Sequence, residues 1–171
     1  EVVLGVQRET VAIRGVYEYY TTMFRGFWDQ LPKPIIGLSP MDGVTDAVYR
    51  YMVAKASKPH VIITEFTNVE GLARGAVSML NEFLYDEIER PVVGQIYGVE
   101  VDSFYKVSLM LCELGFDGID INMGCPANKV LKGCSGAALM GDLELAETIV
   151  STVRKAITIP LTVKFRLGLD G

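Results

Sequence analysis

Between Gly118 and Met140 the chain reads GIDINMGCPANKVLKGCSGAALM. An apolar run breaks at Gly124-Cys125-Pro126, and an amide (Asn122), a thiol (Cys125) and two lysines (Lys129 and Lys132) follow one another closely. A thiol beside a proline at the end of a strand is placed for chemistry rather than packing. Other apolar runs also end in polar or special residues: Ser39-Pro40-Met41-Asp42-Gly43, Thr64-Glu65, Gln95, Asp120 with Asn122, and Lys164 with Arg166. Strand side chains alternate faces, so Asp120 and Asn122 share one face, as do Lys164 and Arg166. A lysine inside Leu161 to Phe165 interrupts an apolar run and, if buried, needs an anion. A buried Gln95 amide must find hydrogen-bond partners. Gly94 beside it would let a flat ligand approach the backbone. Strand ends that converge with these groups suggest a site for a polar, anionic cofactor.

The elements that must bring them together follow from periodicity. Strands are expected at Ile35–Leu38, Val61–Thr64, Pro91–Tyr97, Gly118–Ile121 and Pro160–Leu167, and helices at Thr45–Ala56, Leu72–Leu84, Glu100–Leu114 and Leu143–Ile157. In the third helix the set Val101, Phe104, Tyr105, Ser108, Leu111 and Cys112 is apolar apart from Ser108. In the fourth the set Ala146, Ile149, Val150, Val153, Ala156 and Ile157 is apolar throughout. Thr45 or Asp46 and Asp142 read as helix N-caps, and Gly115 as a helix stop. Alternating strands and amphipathic helices mean parallel βαβ units. No Gly-x-Gly-x-x-Gly follows the first strand, which disfavours a dinucleotide-type opening. The expected fold is an α/β (β/α)8 TIM barrel, with only the first five strands and four helices present, since a full barrel needs about 250 residues. Its active site belongs at the C-terminal ends of the strands.

Composition limits the function classes. The chain has 171 residues, 50% hydrophobic and 22% charged, enough for a sizeable core. No run of about 18 apolar residues is present, so no membrane-spanning helix is expected. A net charge of −5 argues against an autonomous nucleic-acid binder. Cys112, Cys125 and Cys134 are an odd set without zinc spacing, and His60 is the single histidine, so no metal site is expected and a reducing, cytoplasmic compartment is. Cys112 falls on a helix's apolar face as a core residue, and His60 reads as structural. Residues 1–33 form an aromatic-rich extension, partly helical and closed by Pro32 and Pro34, and residues 34–171 form the barrel part. A start at Glu1 and an end at Gly171 directly after a strand suggest a fragment.

Pro40-Met41-Asp42-Gly43-Val44-Thr45-Asp46, Gln95 in Gly-Gln-Ile-Tyr-Gly, Asp120 to Val130, Gly136 to Met140 and Val163 to Gly168 together resemble the tRNA-dihydrouridine synthases. The resemblance covers residues 34–171 in order and spacing. It implies an FMN-dependent enzyme that reduces the C5–C6 double bond of uridine in tRNA, with NADPH as the expected electron source. By resemblance, Pro40, Met41 and Asp42 border the flavin, and Gln95 and Lys164 contact it. Asn122 faces the uracil, Arg166 helps bind cofactor or RNA, and Cys125 is the catalytic acid. Hydride reaches C6 and leaves carbanion-like charge at C5. An ordinary thiol, with a pKa near about 8.5, is mostly protonated at neutral pH and can donate there. Cys134 is expected to be incidental, and Lys129 and Lys132 either touch RNA or are solvated. Two features depart from the family. The leader is long, and the later barrel strands and the helical RNA-binding domain are absent. Two alternatives stand: a dihydroorotate dehydrogenase-like flavoenzyme acting on a free pyrimidine, and an inactive truncated remnant. Oligomeric state is not readable.

Overall fold

The computed structural model describes residues 26–126 and 135–168. Six strands form one parallel sheet: β1 (Gly37–Leu38), β2 (Val61–Ile63), β3 (Thr67–Asn68), β4 (Val92–Tyr97), β5 (Gly118–Met123) and β6 (Leu161–Phe165). Their order is β1-β2-β4-β5-β6, with β3 also paired to β4. The helices are α1 (Ala47–Ser57), α2 (Val69–Ala73), α3 (Val101–Glu113) and α4 (Leu143–Ala156). Consecutive strands joined by crossover helices, with every pair parallel, form part of a (β/α)8 barrel, as expected from the sequence.

The core lies between the sheet and its helices. In β4 and β5 one set of alternate residues faces the helices: Val92 and Ile96, then Ile119, Ile121 and Met123. They meet Phe104, Val107 and Leu111 of α3 and Ile149 and Val153 of α4. Phe83 and Phe116 add an edge-to-face pair with centroids 5.6 Å apart. Asp46 and Asp142 cap α1 and α4, accepting from the amides of Tyr49 (2.8 Å) and Leu145 (3.0 Å). Gly115 ends α3 at a positive φ of 80°.

Three local expectations change. The α3 seam runs through Phe104, Val107, Ser108 and Leu111, so Ser108 is fully buried while Tyr105 is 47% exposed. The template placed the seam one residue off because Tyr105 counts as apolar, although its phenol end tolerates water. The helix expected over Leu72–Leu84 is a short α2 followed by a 3-10 helix over Val77–Phe83. Asn68 starts α2 early by capping Gly71 (2.8 Å), and Gly75 at φ 87° turns the chain out of it. Strand β3 has two residues and therefore no period to read.

A buried ion pair joins distant segments. Arg50 of α1 and Glu89 are 0% and 1% exposed, with Nε 3.0 Å from Oε2. Arg50 also donates to the carbonyls of Thr45 (2.9 Å) and Leu84 (2.5 Å). Of the leader, a 3-10 turn over Gly26–Gln30 is described, and it sits at the N-terminal end of the sheet. A Cβ on Gly26 would lie 2.5 Å from Pro160, and one on Gly118 would lie 3.4 Å from the Phe27 ring.

Candidate active site

The face of β4 and β5 turned away from the helices carries polar residues, linked across strands. Register sets Gln95 opposite Asp120, Asp120 opposite Thr162, and Asn122 opposite Lys164. Gln95 donates from Nε2 to Asp120 Oδ2 (2.6 Å), and Thr162 donates its hydroxyl to Asp120 Oδ1 (2.6 Å). Asn122 Nδ2 donates to Gln95 Oε1 (3.0 Å). Asn122 Oδ1 accepts from the backbone amides of Gly124 (3.0 Å) and Cys125 (2.9 Å). The Gln95 amide N–H in turn donates to the Thr64 hydroxyl (3.0 Å). Gln95, Asp120 and Asn122 are at most 4% exposed, so these polar groups rely on one another. Burial pushes the Asp120 carboxyl up, while the bonds from Thr162 and Gln95 and the Lys164 charge pull it back down.

The chain of bonds ends at the Cys125 turn. Asn122 holds two of its N–H groups, and Arg166 donates from Nε to the Gly124 carbonyl (2.5 Å). The Ala137 amide donates to the Cys125 carbonyl (3.0 Å), tying the turn to the 3-10 helix over Gly136–Gly141. The Cys125 thiol is free and half-buried. A loop that could carry the thiol anywhere is thus fastened at four backbone groups.

The turn after β1 is held separately. Thr45 is fully buried, and its hydroxyl accepts from the Met41 amide (2.9 Å). Glu65 accepts from the Val44 amide (2.9 Å). A cavity of about 310 Å³ opens here, lined by Asp42, Glu65, Tyr97 and Glu82 among others. Desolvation, and then the hydrogen bond and charge of Glu65, push Glu82 up to about 7.

The structure brings together four of the residues singled out from sequence: Gln95, Asn122, Cys125 and Arg166. Pro40, Met41 and Asp42 lie in the β1 turn, whose contacts run instead to Thr45 and Glu65. Lys164 lies in register with Asn122 and shares the face of Thr162 on β6, the last strand of the described sheet, where it is exposed. Gly94 faces the opposite way from a ligand: a Cβ there would meet Leu111 and Phe116 of the helix layer at 3.1–3.4 Å. His60 is structural, accepting from the Ile36 amide at Nδ1 (3.1 Å). Cys112 packs against the core, where burial pushes its thiol up. Lys129, Lys132 and Cys134 lie outside the described residues. Thr162 was not singled out, although it precedes Lys164 by one strand repeat and so shares its face. Asp120, expected on the site face beside Asn122 but given no role there, anchors the network. Among the described residues no group of three or more His, Cys, Asp or Glu could hold a metal ion. No helix there is long and apolar enough to cross a membrane.

Comparison with known proteins gives the family. A family model described as dihydrouridine synthase (Dus) matches residues 37–171. The "Probable tRNA-dihydrouridine synthase" of Staphylococcus aureus (strain COL) is 40% identical over 148 residues, 85% of this chain and 45% of the relative. The "Probable tRNA-dihydrouridine synthase 2" of Bacillus subtilis (strain 168) matches with the same identity and coverage. The chain thus spans about half the length of the curated relatives it matches. With the family model matched over most of its length, the chain belongs to the dihydrouridine synthase family.

Proposed function

We propose that this chain is the N-terminal part of a flavin-dependent tRNA-dihydrouridine synthase, in which Cys125 protonates uracil C5. The observation that carries the reading is the unbroken chain of bonds from Asp120 through Gln95 and Asn122 to the Cys125 turn, at the C-terminal ends of β4 and β5. The residues suit FMN. Gln95 keeps one Nε2 hydrogen unspent, and Lys164 is an exposed cation in register with Asn122, so both can donate to the carbonyl oxygens of a flavin ring. Pro40, Met41 and Asp42 would border that ring. Bound and reduced, FMN supplies the hydride to C6, and NADPH restores it.

This chain's own residues do the rest. Asn122 offers its second Nδ2 hydrogen to the uracil and orients the base. Cys125 gives its thiol proton to C5 as charge develops there, and recovers a proton from water. Asn122, Ala137 and Arg166 fix the backbone on both sides of the thiol, so its position is set before substrate arrives. With its Nε bound to Gly124, Arg166 keeps its terminal nitrogens for a phosphate or base.

The test uses the full-length protein with FMN, NADPH and unmodified tRNA, followed by nucleoside mass spectrometry. Uridine should gain the mass of two hydrogens, and Cys125→Ala should abolish the gain. NADPH oxidation with flavin bound but no modified RNA would point instead to a free pyrimidine such as dihydroorotate. A full-length protein that binds no flavin would refute the reading.

A further inference from the structure

The hydrogen-bond capacity of the two amides is unevenly spent. Both lone pairs of Asn122 Oδ1 are taken by the Gly124 and Cys125 amides. One Nδ2 hydrogen goes to Gln95, leaving a single N–H as all that Asn122 can offer a ligand. Reversing Asn122 would set its NH2 group against two backbone N–H donors and turn its oxygen toward Gln95. Reversing Gln95 to match would set its oxygen against the Asp120 carboxylate. Each orientation therefore depends on the next, and the series closes on a buried carboxylate held from its other side by Thr162. The two ends differ in stiffness. A turn can rotate its peptide groups, whereas the Asp120 carboxyl is fixed in the sheet with both oxygens already accepting, from Gln95 and from Thr162.

We propose that Asp120 is a positioning residue that fixes Gln95 and Asn122 with Asn122 as a donor only, so that the site takes a pyrimidine through a carbonyl oxygen and rejects one bearing an amino group there. This rests on the proposed function and adds to it the basis for choosing uracil over cytosine. A site that can only donate leaves an amino group facing a donor, with neither satisfied, and such mismatches discriminate more strongly than a difference in size. Asp120 does this without touching the base, through two intervening amides.

Two measurements on the full-length protein test this. The first needs no RNA. Side-chain amide NMR of nitrogen-15-labelled protein should show the Gln95 and Asn122 NH2 groups as shifted, slowly exchanging signals, and Asp120→Asn should move both. Unchanged Gln95 and Asn122 signals in Asp120→Asn would overturn the proposal. The second measures binding of the oxidised, flavin-loaded protein to two tRNA transcripts with uridine or cytidine at the modified position. Wild type should prefer uridine by about ten-fold or more, and Asp120→Asn should lose most of that preference. Equal weakening toward both transcripts, with the preference intact, would make Asp120 merely structural and sink the idea. Should Asp120→Asn fail to fold, Gln95→Met cuts the same chain one link later and carries the same expectation for the Asn122 signal and for the uridine preference. A wild-type protein that modifies no RNA would defeat the functional reading, while the NMR result would still decide whether Asp120 fixes the amides.

Discussion

Cys125 has little freedom, and its neighbours explain why. Its amide, its carbonyl and the preceding carbonyl are all engaged, by Asn122, Ala137 and Arg166. Removing the thiol leaves those bonds in place, so Cys125→Ala should keep bound flavin while uridine reduction falls by about 100-fold or more, read by single-turnover product formation. Lys164 is assigned to a carbonyl of the cofactor, and a lost charged hydrogen bond should weaken FMN by about ten-fold in Lys164→Ala, measured by fluorescence titration. Unaltered affinity would reject that contact. Glu82 yields a pH prediction. It ionises near 4.5 in an unfolded chain but only near 7 beside Glu65 and Asp42. Between these values the folded state holds a proton that the unfolded state has lost, so this contribution to stability declines as pH rises through that window. Glu82→Gln should flatten that part of the denaturation profile, and an identical slope would discount the assignment.

At the scale of elements, stability and site share the same strands but use opposite faces. Val92, Ile96, Ile119 and Ile121 face the helices, while Gln95, Asp120 and Asn122 face the other way. A one-residue slip of β5 would exchange the two sets, so the apolar core also fixes the polar network's register. The β1 turn depends on a different device. Arg50 holds the Thr45 carbonyl, and Thr45 holds Met41, so the buried Arg50–Glu89 pair supports the turn assigned to the flavin. Arg50→Met leaves Glu89 buried without its cation and should cost about 3–5 kcal/mol in urea denaturation. It should also loosen the Met41–Val44 turn, seen as faster amide exchange there. Little change in either would mean that water replaces the guanidinium at low cost.

For the molecule as a whole, the two ends of the sheet do different work. The C-terminal ends carry the candidate chemistry, and the N-terminal end is covered by the Gly26–Gln30 turn against Pro160 and Gly118. Gly26 has φ 51° and no room for a Cβ, so Gly26→Val should destabilise by about 2 kcal/mol or more. Flavin affinity should be unchanged, because the site lies at the other end. A drop in affinity that matches the loss of stability would show that the two ends are coupled. On the proposed function, Arg166 offers its terminal nitrogens to an RNA phosphate, and binding through it should weaken with salt accordingly.

What the sequence determined by itself was local. The 3.6-residue period of α4, the caps at Asp46 and Asp142, the stop at Gly115 and the parallel βα alternation are all set by neighbours a few residues apart. The order of motifs from Pro40 to Arg166 identified the family on the same basis. What only the tertiary structure decided lies in contacts between residues far apart in the chain. Gln95 finds Asp120 25 residues on, Arg50 finds Glu89 at 39, and Thr162 and Arg166 reach back 42 to Asp120 and Gly124. Such partners depend on register and strand order, which a local pattern does not encode. That is why Gly94 was expected beside a ligand although it faces the helices, and why nothing local marked Asp120 as the anchor of the network. A buried polar residue reveals its purpose only when the group it satisfies is in view.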